Sequence, residues 1–132
     1  MDEDFKPKPI ERPPAYGEGC PDVVFPSQLE GRDIPERKWL VDQLIPAGTV
    51  TLLTGDGGVG KSLLMQQLCV ATALGQDWLG LKTTPCFSFA LFCEDDDEEL
   101  HRRQADICND LIVPISDVSN MAWKSGVGED NV

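Results

Sequence analysis

Positive charge is scarce in this sequence. Eleven Lys and Arg stand against 23 Asp and Glu, giving a formal net charge of −12 and a pI near 4.3. Such a surface repels phosphate backbones, which argues against direct DNA or RNA binding by this chain alone. It leaves room for a nucleotide held by a local nest of backbone amides. Metal-ligand spacing is also missing: there is one histidine, His101, and five cysteines at 20, 69, 86, 93 and 108 form no C-x-x-C. That pattern argues against zinc and points to reduced core cysteines in a cytoplasmic protein. Most of the thiols fall in apolar stretches, where they pack as small hydrophobes. No apolar run approaches the ~18 residues that span a bilayer. The N-terminus, MDEDFKPKPI, lacks the basic and apolar regions of a secretory signal. No membrane partner is expected, and no internal repeat is visible.

At 132 residues and 41% hydrophobic content, the chain is long enough for one packed domain and short for two. Six of the ten prolines lie within residues 1–27, a segment that can form neither a helix nor a central strand. It reads as an extended or disordered arm, with the domain running over 28–132. Order is expected to begin near RKWLVDQLIPAG, where Trp39, Leu40, Val41, Leu44 and Ile45 supply apolar surface. Thr49–Thr54 is β-branched and apolar and is bounded by Gly48 and Gly55, so it reads as a buried strand. Gly60 to Leu74 predicts a helix stopped by Gly75. Asp77 to Gly80 reads as a loop with a packed Trp78, and Cys86–Cys93 as a second apolar strand. Asp96 to Leu111 has helical spacing, with acids at its start and Arg102 and Arg103 further in, an order that suits the helix dipole. Pro114 breaks the chain after this helix, and Met121-Ala122-Trp123 begins a third strand. This order is that of an α/β fold with a parallel sheet and crossover helices.

Between the first strand and the helix stands GDGGVGKS, residues 55–62, which matches G-x-x-x-x-G-K-[ST]. A triphosphate needs several N–H groups converging on it, so the backbone must curl with little side-chain obstruction. Gly55, Gly57, Gly58 and Gly60 permit that curl. The amides from Gly55 through Asp56, Val59 and on to Leu63 then deliver the phosphates to a helix N-terminus, where unpaired N–H groups favour anions. Lys61 adds a positive charge for the β- and γ-phosphates. Ser62 offers a hydroxyl to Mg²⁺, which takes few protein oxygens and keeps its waters. The bland reading is a flexible glycine loop. The flanking strand and helix favour a site for a nucleoside triphosphate.

The run CEDDDEELHRR, residues 93–103, carries six consecutive acids from Glu94 to Glu99. In an open α/β sheet, ligands sit outside the carboxyl ends of the strands. Glu94 directly follows the second strand, 33 residues after Lys61, about one βαβ unit on. A carboxylate there can orient a water for attack on the γ-phosphorus. Asp95 can hold a magnesium-bound water or cap the coming helix. Asp96 to Glu99 read as the first helical turn. Two alternatives stay open: Glu94 as a capping or solvated acid, and Asp95 as the main magnesium-holding acid. A calcium cage is disfavoured, because consecutive helical positions point apart and the spaced ligand pattern is missing.

From about residue 30 onward, RKWLVDQLIPAGTVTLLTGDGGVGKSLLMQQL and ALFCEDDDEELHRR resemble the RecA-like P-loop ATPases, closest to the RepA/DnaB-type hexameric helicase branch of AAA-family ATPases. The resemblance implies a RecA-like core and Mg²⁺-dependent ATP hydrolysis, with Glu94 as catalytic base beside Lys61. It also implies a homo-oligomeric ring working on single-stranded DNA. A full domain of that family is nearly twice this length. DLIVPISD is a poor Walker B strand because Pro114 interrupts it, and no arginine follows Arg103 to act as a finger. The expectation is therefore the N-terminal part of an ATPase, marginally stable alone and slow in turnover. The rival readings are a nucleotide-binding remnant without turnover and a P-loop small-molecule kinase.

Overall fold

The computed structural model describes residues 24–127. The expected arm therefore lies almost wholly outside the described residues, as does the end of the chain. The chain divides after Pro35 into two compact units. The described part of the first holds a single 3-10 turn, Pro26–Leu29, with no buried residue. The second carries every other helix and strand among the described residues.

This second unit is α/β, as the sequence pattern predicts. A short antiparallel hairpin, β1 (Trp39–Val41) and β2 (Ile45–Pro46), comes first. Helix α1 (Lys61–Leu74) is followed by strand β3 (Ser88–Phe92), helix α2 (Asp97–Leu111), a 3-10 turn at Ile115–Asp117, and strand β4 (Met121–Ser125). Strands β3 and β4 pair in parallel, with Ser88 opposite Met121 and Phe92 opposite Ser125, and α2 makes the crossover. Among the described residues, no helix is long and apolar enough to cross a membrane.

Helix α1 has no proline or interior glycine and is rich in Leu, Ala, Gln and Met, all good helix formers. It ends at Gly75, whose φ of +65° is left-handed and whose N–H bonds the Ala71 carbonyl. A Cβ at Gly75 would stand 3.0 Å from the Pro85 ring, so only glycine fits without a shift. Its C-terminal half is buried without interruption from Leu68 to Ala73, so neighbours cover it on every side. One side packs on the hairpin: Val41, Leu68, Ala71 and Trp78 form the core, flanked by Leu40, Ile45, Leu64 and Leu81. A second side faces β3, where Thr72 and Ser88 share a hydrogen bond of 2.8 Å. A third meets α2 through Gln66, whose amide donates to the Leu100 carbonyl at 3.0 Å and to Gln104 Oε1 at 3.1 Å.

Helix α2 begins where its acids predict. Asp96 is the N-cap and accepts from the Glu99 backbone N–H at 2.8 Å, while Asp97, Glu98 and Glu99 fill the first turn. It ends at Ile112, a β-branched residue at φ +56° that is 91% exposed.

Two expectations are corrected. Thr49–Thr54 is not a strand: Val50 and Leu52 are 99% and 82% exposed. An extended segment becomes a strand only when a neighbour pairs its N–H and C=O groups. Among the described residues none does, and an open cavity separates Leu53 from the free edge of β3 at Phe89–Phe92. The second correction concerns β3, expected over Cys86–Cys93 and found only over Ser88–Phe92, where it alternates between covered and open positions and leaves Phe89 and Leu91 exposed. The cysteines divide accordingly. Cys69 and Cys108 are buried, and burial pushes the Cys69 thiol up, whereas Cys86 and Cys93 at the ends of β3 are exposed.

Stability is expected to respond at two places. Ile112→Gly removes a left-handed β-branched residue from the surface and raises unfolding free energy by about 1 kcal/mol, read from urea titration. Gln66→Ala leaves Gln104 facing an unpaired pocket and lowers it by about 2 kcal/mol. The pair Gln66→Leu with Gln104→Leu recovers most of that loss in the same titration.

Candidate functional site

The glycine loop adopts the curl its composition allows. Gly58 and Gly60 sit at φ +76° and +87°, and no neighbouring atom approaches where their Cβ would be. Gly60 is the residue preceding α1, and no side chain caps the helix there. The first N–H groups of α1 thus have no side-chain partner at an end that carries partial positive charge.

Lys61 folds back over this loop. Its ammonium donates to the carbonyls of Gly55 at 2.8 Å and Asp56 at 2.6 Å, and no carboxylate pairs with it among the described residues. Two neutral acceptors leave its charge uncompensated, so an anion arriving at the loop meets a cation already in place.

The opposite wall comes from the turn after β3. Hydrogen bonds from the end of β4 fix that turn. Gly126 N–H donates to the Phe92 carbonyl at 2.7 Å, and Ser125 Oγ donates to the Asp95 carbonyl at 2.8 Å. The parallel pairing of β3 with β4 thus positions Glu94 and Asp95. The two acids differ in surroundings. Glu94 is exposed, while the Asp95 side chain is only 15% exposed and is held by Arg103 Nη2 at 2.9 Å. Arg103 also donates through Nε to Glu99 Oε1 at 2.9 Å, and the hydrogen bond to Asp95 is the largest cause raising its pKa.

These two walls enclose a cleft of about 450 Å³ lined by Gly57, Gly58, Gly60, Lys61, Ser62, Leu63, Glu94, Asp95 and Arg103. The structure therefore gathers most of the residues picked out in the sequence. Gly55 and Asp56 take part through their carbonyls on Lys61. Val59 is turned aside, lining an adjoining cavity with Leu53 and Leu64. Of the two roles open to Asp95, capping α2 falls to its neighbour Asp96. Of the remaining acids, Glu98 and Glu99 are bridged by Arg102 at 3.7 Å and 3.1 Å on the exposed face of α2, and Asp97 accepts from Trp123 Nε1 of β4 at 3.3 Å.

Arg103 was missed as a site residue. The signal was its spacing: Asp95, Glu99 and Arg103 stand four apart, and Arg103 lies one turn before buried Ile107, on the covered stripe of α2. A charged residue on that stripe needs a reason.

Other cavities have different chemistry. The one between the hairpin and α1, about 540 Å³, is lined by Leu40, Leu44, Ile45, Met65 and Trp78 among others and contains no charged side chain. The glycine-loop cleft, by contrast, joins the loop backbone, an ammonium with no carboxylate partner, a hydroxyl and carboxylates. Its hard oxygen donors, the Ser62 hydroxyl and the Asp95 carboxylate, suit magnesium shared with phosphate oxygens. Among the described residues no group of three or more His, Cys, Asp or Glu side chains gathers as a metal cage.

In comparisons with known proteins, no curated protein and no solved structure matches the chain. A family model described as "AAA domain" matches residues 14–131. With the phosphate loop, the parallel strand pair and the acidic turn facing each other across one cleft, the chain belongs to this family of nucleotide-binding, ATPase-type domains.

Proposed function

We propose that the cleft binds ATP with Mg²⁺ and hydrolyses it, with Glu94 as the base. The observation that carries this reading is the placement of Glu94 and Asp95 on the wall facing Lys61, Ser62 and the loop glycines. A loop that only held phosphates would need no carboxylate opposite them. Magnesium would be held by Ser62 and, through a water, by Asp95, and when bound it neutralises charge on the phosphate oxygens.

The chain's own groups supply the rest. The amides of the loop and the first turn of α1 hold the phosphates. Lys61 exchanges its bonds to Gly55 and Asp56 for phosphate oxygens, so the group that latches the loop becomes the clamp on the ligand. Glu94, exposed at the cleft mouth, accepts a proton from water as the water oxygen bonds to the γ-phosphorus. The bond from that phosphorus to the β,γ-bridging oxygen breaks, and ADP leaves with the electron pair. The resemblance to RepA/DnaB-type helicases supports a homo-oligomeric ring acting on single-stranded DNA as the setting. At a net charge of −12, basic surface for that DNA has to come from elsewhere in the assembly.

One observation favours a second reading, binding with little turnover. Val50 and Leu52, just before the loop, are exposed, and among the described residues no strand pairs with the segment leading into Gly55 to stiffen it. Phosphoryl transfer depends on positioning, and a loosely anchored loop holds phosphate better than it aligns it.

Titration calorimetry with Mg²⁺ and a non-hydrolysable ATP analogue tests the site. Lys61→Ala weakens affinity at least about tenfold, and unchanged affinity rejects the loop as the phosphate site. Phosphate release under saturating ATP separates the two readings. If Glu94 is the base, Glu94→Gln lowers turnover by roughly 10²–10⁴-fold while analogue binding persists. Binding by the native chain with no phosphate release selects the second reading.

A further inference from the structure

Both α-helices turn a stripe of side chains toward one groove of about 520 Å³. Leu63, Gln67 and Ala71 stand four apart on α1, and Arg103, Ile107 and Leu111 stand four apart on α2. Each set therefore lies on one face of its helix. The α1 stripe rises about 12 Å, the length of roughly four extended residues. The loop after α1 adds Asp77, Trp78 and Leu79 to the lining.

Two donors on this lining lack an acceptor. Trp78 is only 8% exposed, yet its Nε1–H has no hydrogen-bond partner among the described residues, and the same holds for the buried Nη1 of Arg103. A buried indole N–H ordinarily finds a partner, because leaving it unpaired costs free energy. The carboxylates of the groove are unpaired as well. Asp77, Asp106 and Asp110 line it, and none joins an ion pair among the described residues. Asp106 and Asp110 repel each other at i and i+4. Asp110 also sits in the last turn of α2, at the negative end of the helix dipole, and no basic residue offsets it there. Arg103, three residues before Asp106, is turned to Asp95 and Glu99 instead.

We infer that this groove docks a basic, apolar-faced segment of a partner protein. Its lysine or arginine side chains pair with Asp106 and Asp110, and its backbone carbonyls accept from Trp78 Nε1–H. Its apolar side chains cover Leu63 and Leu79, which are 37% and 66% exposed. The chemistry of the groove narrows the occupant to this class. The three carboxylates do not gather as a metal site, which calls for cations spread along a chain. A polyamine would answer the carboxylates but brings no acceptor for the indole and no apolar face. Nucleic acid has the wrong sign of charge. Neither the glycine loop nor Glu94 takes part, so this surface stands whether or not the neighbouring cleft holds a nucleotide.

The test is a titration of the full chain, labelled with ¹⁵N and free of nucleotide, with a short blocked peptide alternating leucine and arginine. The indole N–H signals of the three tryptophans report where it binds. Trp78 is assigned by the signal lost in Trp78→Phe, or by elimination with Trp39→Phe and Trp123→Phe. The Trp78 signal is expected to move with the peptide. Asp106→Asn together with Asp110→Asn is expected to weaken the peptide roughly fivefold, as the loss of two exposed ion pairs should. The same two changes raise the urea midpoint of the free chain, because they remove like-charge repulsion and a clash with the dipole. A peptide with glutamate in place of arginine, or spermidine alone, is expected to leave the Trp78 signal in place. A Trp78 signal that the arginine peptide does not move overturns the inference, as does one that spermidine or the glutamate peptide moves as far. Full peptide affinity in the double variant, or a midpoint that does not rise, overturns it equally.

Discussion

Burial of the C-terminal half of α1 on all sides is the constraint on which the rest of this structure depends. The hairpin, β3 and α2 each use a different side of that helix, and each contact is chemically distinct. An apolar cluster around Val41 and Trp78 covers one side, a hydroxyl pair between Thr72 and Ser88 another, and an amide network from Gln66 to Leu100 and Gln104 the third. Directional bonds on two of the three sides fix the rotation of α1 about its axis, which hydrophobic packing alone does loosely. Fixing that rotation aims the first turn of α1, and with it Lys61 and Ser62, at the turn after β3. The phosphate cleft is thereby a consequence of how the other end of the same helix is packed.

Local signals in the sequence were sufficient where one residue controls one feature. Gly75 ends α1 because only glycine takes that φ beside Pro85, and Asp96 begins α2 because its carboxylate reaches the Glu99 amide. The curl of the loop was legible for the same reason, since Gly58 and Gly60 take the positive φ that glycine permits. Pairing was not legible. Thr49–Thr54 has the composition of a strand, but strand formation belongs to two segments at once, and composition records only one of them. The hairpin Trp39–Pro46 was seen only as apolar surface, because its ladder is too short to show an alternation. Arg103 was overlooked because its role depends on Asp95, eight residues away across the strand-to-helix turn.

The acidic run also shows how six like charges in sequence become unlike in structure. A change from extended backbone to helix within the run sends successive carboxylates in different directions. Glu94, still on the strand side, reaches the cleft mouth, and Asp95 is drawn inward onto Arg103. Asp96 turns back to cap α2, and Glu98 and Glu99 are taken up by Arg102 and Arg103. Arginines at i+3 and i+4 relieve the mutual repulsion that would otherwise fray the first turn of the helix. Of the two carboxylates next to the glycine loop, Asp95 is thus tied to the helix through Arg103, and Glu94 stays exposed.

A chain with a net charge of −12 that binds a multiply charged anion looks contradictory until distances are considered. At physiological ionic strength, exposed charges are screened over about 8 Å, so most of the acidic surface contributes little inside the cleft. Lining the cleft itself are the glycine loop, the start of α1 with Lys61, and opposite them Glu94 and an Asp95 already offset by Arg103. The local balance thus favours an anion even though the surface as a whole does not. Lys61 adds a further bias. Its bonds to the Gly55 and Asp56 carbonyls are exposed and involve neutral acceptors, so giving them up for a charged phosphate gains energy. The same exchange would be unfavourable had Lys61 been paired with Asp56 through its carboxylate. Holding the lysine on backbone carbonyls keeps it in position without neutralising its charge.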